Sequence, residues 1–210
     1  NHKNNSWLIN NKKLCIKKLL ISTVNENEHI IYNDHYYQGS LCLFFVNEKI
    51  FVVNHVNIEE YVENVLHYET CISWPLENHK LFAIVIRTFA LNKCLQSHKY
   101  SNYYDIKATI AHQLYKGVKD KNNIIKQAVE ETKGIIITHK DKPIISMYHI
   151  CCGSVIPAKC SGFDFENHPY LARKYACNAC QKCPYYKWTV EYSFSQVCKK
   201  LSEMTNSVAL

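Results

Sequence analysis

The sequence predicts an α+β fold: helices mixed with short antiparallel strands in hairpins, around a helical core that carries the candidate active-site residues. Residues 57–91 supply the first observation, because NIEEYVENVLHYETCISWPLENHKLFAIVIRTFAL reads as two amphipathic helices joined by a short turn. Short apolar runs bounded by turn residues precede and follow this pair, which is the signature of hairpins rather than long crossovers. The third observation is an ordinary globular balance of 47% hydrophobic and 20% charged residues in 210, enough to bury a core.

Taken in order, residues 1–11 are polar and expected to pack loosely. Residues 14–22, 29–32, 41–46 and 50–53 read as strands, with Glu48 and Lys49 in a turn. Together they form an expected N-terminal β segment over 12–53, followed by a core over 54–200. Residues 97–105 are polar and tyrosine-rich, a predicted loop. Over 122–132 the apolar positions Ile124, Ile125, Ala128 and Val129 repeat at helical spacing, and Gly134 is placed to end that helix. Residues 135–138 and 144–150 read as strands around the Lys140-Asp141-Lys142-Pro143 turn.

In the central pair, Asn57 is an expected helix cap with Glu60 as its capping-box partner. Ile58, Tyr61, Val62, Val65 and Leu66 then form an apolar face, and Glu69 falls on that same face three turns after Ile58. A carboxylate there is suited to hold or deliver a proton, because burial penalises the charged form. The second helix starts near Ser73, Trp74 and Pro75, where proline suits a first turn. One of its stripes, Leu81, Ile84, Val85, Thr88 and Leu91, is the expected core face. A second stripe carries Lys80, Ala83 and Arg87, so two cations are expected to border the site that holds Glu69.

The formal charge is +7, yet the basic residues are dispersed and no block of five occurs. Nucleic acid is therefore not the expected partner, and a zinc protein of that class would rest on charge and cysteines alone. A wall polymer carrying carboxylates suits such a surface equally. No run of 18 apolar residues exists, and the apolar part of KKLCIKKLLIS is too short for a signal peptide.

Of the 11 cysteines, six crowd into residues 151–183. His149 with Cys152 gives H-x2-C, and Cys177 with Cys180 gives C-x2-C. Two such pairs complete a tetrahedral structural Zn2+ shell. Cys151, Cys160 and Cys183 are spare. Disulfides in an oxidising compartment, or an iron–sulfur cluster on Cys160, Cys177, Cys180 and Cys183, are the rival readings of this cysteine-rich 149–183 region.

The central stretch resembles the signature of the SpoIID (stage II sporulation protein D) family, which includes relatives of the amidase enhancer LytB. The family motif is N-x-h-x-h-E-x-Y-h-x-x-V-h-x-x-E followed by P-x-E-A-L-K-A-Q-A-h-A-A-R-T-Y-A-L. Here NHVNIEEYVENVLHYE and PLENHKLFAIVIRTFAL stand in those places, with Pro75, Glu77, Lys80, Ala83, Arg87, Thr88, Ala90 and Leu91 in register. Asn78 and His79 replace Ala-Leu, and Ile84 to Ile86 replace small residues. YYDIKATIAHQLYKG is similar to a second family motif through Tyr104, Asp105, Thr109, Gln113, Tyr115 and Gly117. His149, Cys152, Cys177 and Cys180 match a cysteine pattern of one branch, with Cys183 where that branch has Ser.

This resemblance implies a peptidoglycan lytic transglycosylase of the bacterial cell envelope, with a signal or anchor expected upstream of the sequence. Its substrate would be glycan strands stripped of peptides, and a cell-wall amidase or division proteins are implied as partners. Glu69 falls at the family's catalytic glutamate, with Lys80 and Arg87 as its helpers. Gln113, Tyr115 and Tyr148 are expected in the cleft wall. The alternative implied by the LytB-like relatives is a non-catalytic, peptidoglycan-binding enhancer of an amidase.

Overall fold

A computed structural model describes residues 7–9, 11–25, 28–46, 49–100, 103–119 and 122–206. The chain divides into two compact units, Asn1–Met147 and Tyr148–Leu210. The observed architecture is α+β, with four helices and short antiparallel sheets among the described residues.

In the first unit, β3 (Lys18–Ser22), β6 (Ser40–Val46) and β7 (Lys49–His55) form an antiparallel sheet in the order β3-β6-β7. The register sets Leu20 opposite Cys42 and Cys42 opposite Val53. Leu41 and Cys42, on the central strand, are its buried residues, because that strand alone is paired on both edges. The run read as one strand over 14–22 is divided between β2 (Lys12–Leu14) and β3. β2 pairs with β1 (Trp7–Ile9), so this part of the polar N-terminus is structured, while residues 1–6 and 10 lie outside the described residues. The turn expected at Glu48 and Lys49 falls partly outside them too, at 47–48. β4 (Ile30–Tyr32) and β5 (His35–Tyr37) form a separate hairpin.

Three helices build the core. α1 (Ile58–Glu69) begins where Asn57 Oδ1 accepts the Glu59 N–H at 2.9 Å, so the cap forms at Glu59 rather than through Glu60. Its apolar face is the one the periodicity picks out: Tyr61 is buried, and Val62, Val65 and Leu66 are wholly so. Each of these three aliphatic side chains contributes about 1.5–3 kcal/mol by leaving water. α3 (Asn123–Glu131) buries Ile125, Ala128 and Val129, and Asn122 Oδ1 caps it through the N–H groups of Ile124 and Ile125.

α2 (Leu76–Tyr100) runs between them and packs on both α1 and α3. The expected core stripe is corrected here. Leu81 is 57% exposed, and of Ile84, Val85, Thr88 and Leu91 only Thr88 is buried. The buried residues of α2 are His79, Ala83, Ile86, Arg87, Thr88, Phe89, Ala90 and Ser97, of which only Thr88 lies in that stripe. A helix flanked on two sides has no single apolar face, and small or polar side chains allow its neighbours to approach closely. Residues 97–100, expected in a loop, continue this helix, and buried Ser97 donates from Oγ to the Tyr104 carbonyl at 3.1 Å.

The hairpin predicted around Lys140 exists in shorter form, as β8 (Thr138–His139) and β9 (Lys142–Pro143). Lys140 and Asp141, with φ of 50° and 60°, make its turn. The second unit contains two single 3-10 turns, Pro157–Lys159 and Pro169–Leu171, and α4 (Phe194–Asn206). None of its described side chains is fully buried.

Candidate active site

Glu69 is the last residue of α1, and Thr70 is the cap after it. Thr70 closes the helix twice on the Leu66 carbonyl, from its N–H at 3.0 Å and from Oγ1 at 2.7 Å. A hydroxyl has one proton, and this bond uses it. The 3.2 Å contact between Thr70 Oγ1 and His79 Nδ1 is therefore donated by His79. The other ring nitrogen, Nε2, is buried without a protein partner among the described residues. His79 thus braces the helix end that carries Glu69, from a position where the family motif has leucine. Nothing in the local pattern of α2 marked it, because its partner lies on the other helix.

The Glu69 carboxylate is half-buried, and its Oε1 accepts the Leu114 N–H at 2.8 Å. Residues 113–119 run along α1 and are stitched to it at three points. Tyr61 donates its hydroxyl to Gln113 Oε1 at 2.9 Å, Leu114 reaches Glu69, and the Lys119 N–H reaches Asn64 Oδ1 at 3.0 Å. Gly117 permits the turn that follows. Its φ is +76°, and a Cβ there would lie 2.1 Å from the Tyr36 carbonyl oxygen. The motif glycine is thus required by a close backbone approach, which also lets the Val118 N–H reach Tyr36.

The structure separates Arg87 from Glu69 and engages the Lys80 ammonium with other carboxylates. Arg87 is 2% exposed and faces the start of α1, where Glu59 accepts from its Nε and Nη2. Glu59 precedes Glu69 by ten residues of helix, about 15 Å at 1.5 Å per residue. Arg87 therefore does not border Glu69. Lys80 is held between Glu77 at 2.8 Å and Glu131 at 2.6 Å, so its ammonium is engaged toward α3. Cations do approach this end of α1 from another direction. Lys116 and Lys119 stand 5.8 and 5.6 Å from the centre of the Tyr68 ring, one residue before Glu69. Sequence reasoning missed them because they belong to a loop with no periodicity.

Gln113 is also corrected. It is wholly buried, accepting from Tyr61 and donating to the Ile86 carbonyl at 3.3 Å, so it joins two helices rather than facing a cleft. Tyr115 is buried, donates to Asn54 Oδ1 at 2.7 Å, and contributes to a cavity wall. Burial pushes its phenol well above the ordinary range, with the Tyr37 hydroxyl adding to the effect. Tyr148 is half-buried and opens the second unit.

Of the expected metal ligands in that unit, His149 is exposed. Cys152 contacts Cys177, Cys180 and Arg173, and Cys151 contacts Cys180 and Cys183. The Ser154 N–H, with smaller help from Arg173 and the neighbouring thiols, holds the Cys152 thiol below its usual range. All eleven cysteines are free thiols. The donor chemistry suits a soft metal, and the thiols gather around Cys180, but His149 is not drawn in. Among the described residues no three His, Cys, Asp or Glu side chains converge on one metal-binding point.

Fold and site together define an α+β domain whose helical hairpin presents a half-buried carboxylate at a helix end. Residues 46–139 match the family model SpoIID, Stage II sporulation protein. The family is associated with the cell wall and the cell envelope. An uncharacterized protein of Brachyspira hyodysenteriae is 32% identical over 168 residues, covering 79% of this chain and 44% of that protein. The match thus spans less than half of the relative's length. No described helix is long and apolar enough to cross a membrane.

Proposed function

We propose that this domain is a peptidoglycan lytic transglycosylase and that Glu69 is its single acid–base group. The observation that carries the reading is the Leu114 N–H on Glu69 Oε1, which fixes one carboxyl oxygen and leaves Oε2 with no other partner among the described residues. Hydrolytic glycosidases use two carboxyl groups, one to protonate the leaving group and one to act as base or nucleophile. With one, the nucleophile must come from the substrate.

Protonated Glu69 gives its proton to the glycosidic oxygen between N-acetylmuramic acid and N-acetylglucosamine as the C1–O bond breaks. The carboxylate then takes the proton of the muramic 6-hydroxyl as that oxygen bonds to C1. The acid is regenerated, no water is consumed, and the product carries a 1,6-anhydro ring. Peptide-free glycan strands of the cell envelope are the proposed substrate.

The test is digestion of purified peptide-free strands with mass detection of anhydro ends. Glu69→Gln keeps an oxygen for the Leu114 N–H and removes the proton, so it should fold and lose about 100- to 10,000-fold in rate. Near-normal turnover by that variant would remove Glu69 from the mechanism.

The second reading, a binding module that enhances a partner amidase, is favoured by one observation: Lys80 pairs with Glu77 and Glu131 and Arg87 with Glu59, so neither is bonded to Glu69. It predicts strand binding with no anhydro product. A structural zinc on Cys152, Cys177 and Cys180 is also proposed for the second unit; His149, exposed in this structure, would have to turn toward these thiols to become the fourth ligand. The contacts of Cys152 with Cys177 and Cys180 support it, as does the absence of fully buried side chains among the described residues of the unit, because a small unit without a core relies on a cross-link. No catalytic step passes through it.

A further inference from the structure

The first unit contains an open cavity of about 880 Å³ that does not include Glu69. Rings from separate elements wall it: Phe51 from β7, Tyr61 from α1, Tyr103 from the loop after α2, and Tyr115 from the segment stitched to α1. Tyr103 stands at its mouth, 59% exposed, with its ring 5.9 Å from that of Phe51. His98 and Asp105, 4.0 Å apart and solvent-accessible, line the same cavity. Aromatic faces combined with a few hydrogen-bonding groups match a ligand whose rings have an apolar face and a polar edge. Pyranose sugars have that form.

The cavity and the carboxylate share a wall. Leu114 donates its N–H to Glu69, and the next residue, Tyr115, lines the cavity. Consecutive Cα atoms are about 3.8 Å apart, so the residue that lines the cavity is the immediate neighbour of the one that holds Glu69. Along α1, Tyr61 and Glu69 are eight residues apart, about 12 Å. A strand of several sugars held by the aromatic walls is thus long enough to reach the carboxyl group.

We infer that this aromatic cavity is a glycan subsite that holds the sugar strand beside its scissile bond, with Tyr103 as a stacking platform. The inference rests on the proposed action on glycan strands and adds the place where the strand is gripped.

The test measures binding of purified peptide-free glycan strands to the full chain carrying Glu69→Gln, so that nothing is cleaved. Tyr103→Ala in that background should weaken binding about tenfold, the scale of a lost aromatic anchor, and Tyr103→Phe should restore it. Thermal melts confirm that each variant is folded, which the exposure of Tyr103 favours. Unchanged affinity in Tyr103→Ala overturns the subsite, even if the wild-type protein cleaves strands through Glu69. Weakened binding by Tyr103→Ala, with no anhydro ends released by the wild-type protein, upholds the subsite and defeats the catalytic reading instead.

Discussion

Arg87 clasps Glu59 from inside the core: its Nε lies 3.0 and 3.1 Å from the two carboxylate oxygens, and its Nη2 lies 2.6 Å from one of them. Nη1 reaches the Ile135 carbonyl at 3.1 Å, and Glu59 also accepts the Gly134 N–H at 3.2 Å. One ion pair therefore ties α1, α2 and the turn after α3. Removing one partner of a buried pair strands the other charge, at a cost of about 3–5 kcal/mol. Glu59→Ala and Arg87→Ala should each destabilise by that amount in urea melts. Arg87→Lys should also fail, because an ammonium cannot reproduce the planar fork. Wild-type stability in Arg87→Lys would show that the fork is dispensable.

Lys80 and Glu131 set a pH window. Hydrogen bonds from Lys80, then from Gln127, hold the Glu131 carboxyl below its ordinary 4.5. Hydrogen bonds to Glu131, then to Glu77, hold the Lys80 ammonium above its ordinary 10.5. The carboxylate contribution is present above 4.5 and is lost as pH falls through its lowered folded value. The ammonium contribution is present below 10.5 and is lost as pH rises through its raised folded value. The melting difference between wild type and Lys80→Met should be constant across that window, disappear in acid, and shrink with salt. A difference unchanged at pH 2 would mean that Lys80 acts through its alkyl stem alone.

Two glycines with the same backbone hand should respond differently to alanine. Gly117 and Gly134 have φ of +76° and +73°. A Cβ at Gly134 meets nothing within 4 Å, whereas one at Gly117 collides with the Tyr36 carbonyl. Gly134→Ala should cost about 1 kcal/mol, the conformational term alone. Gly117→Ala should exceed that term and, on the proposed mechanism, also slow strand cleavage, because it displaces the segment whose Leu114 N–H holds Glu69. Equal melting temperatures for the two variants would contradict this close approach.

The thiol cluster predicts about one tightly bound zinc per chain, released when Cys177 or Cys180 becomes serine. Cys198→Ser, on exposed α4, should retain it. Metal analysis that finds none, together with mass mapping of disulfides among residues 151–183, would replace the metal with covalent cross-links.

The sequence alone determined the elements whose information is local. The period of Tyr61, Val62, Val65 and Leu66 identifies the buried face of α1, and Asn57 and Asn122 mark the starts of two helices. The alternation of turn residues and short apolar runs places β6 and β7 before the helices. The placement of Glu69 at the end of the apolar face was legible for the same reason.

Only tertiary structure decided what those faces meet. Arg87 reads as a cation beside Glu69 until its partner appears 28 residues away, at the other end of α1. Gln113 reads as a cleft residue until it is found bonded to Tyr61, 52 residues earlier, and Glu69 finds its backbone donor 45 residues later. α2 gave the wrong core stripe because it packs against α1 and α3 at once, and an element enclosed on two sides has no single apolar face to read. Periodicity reports how a segment orients itself toward a core. It carries no information on which distant donor or charge closes the hydrogen bonds that burial then requires.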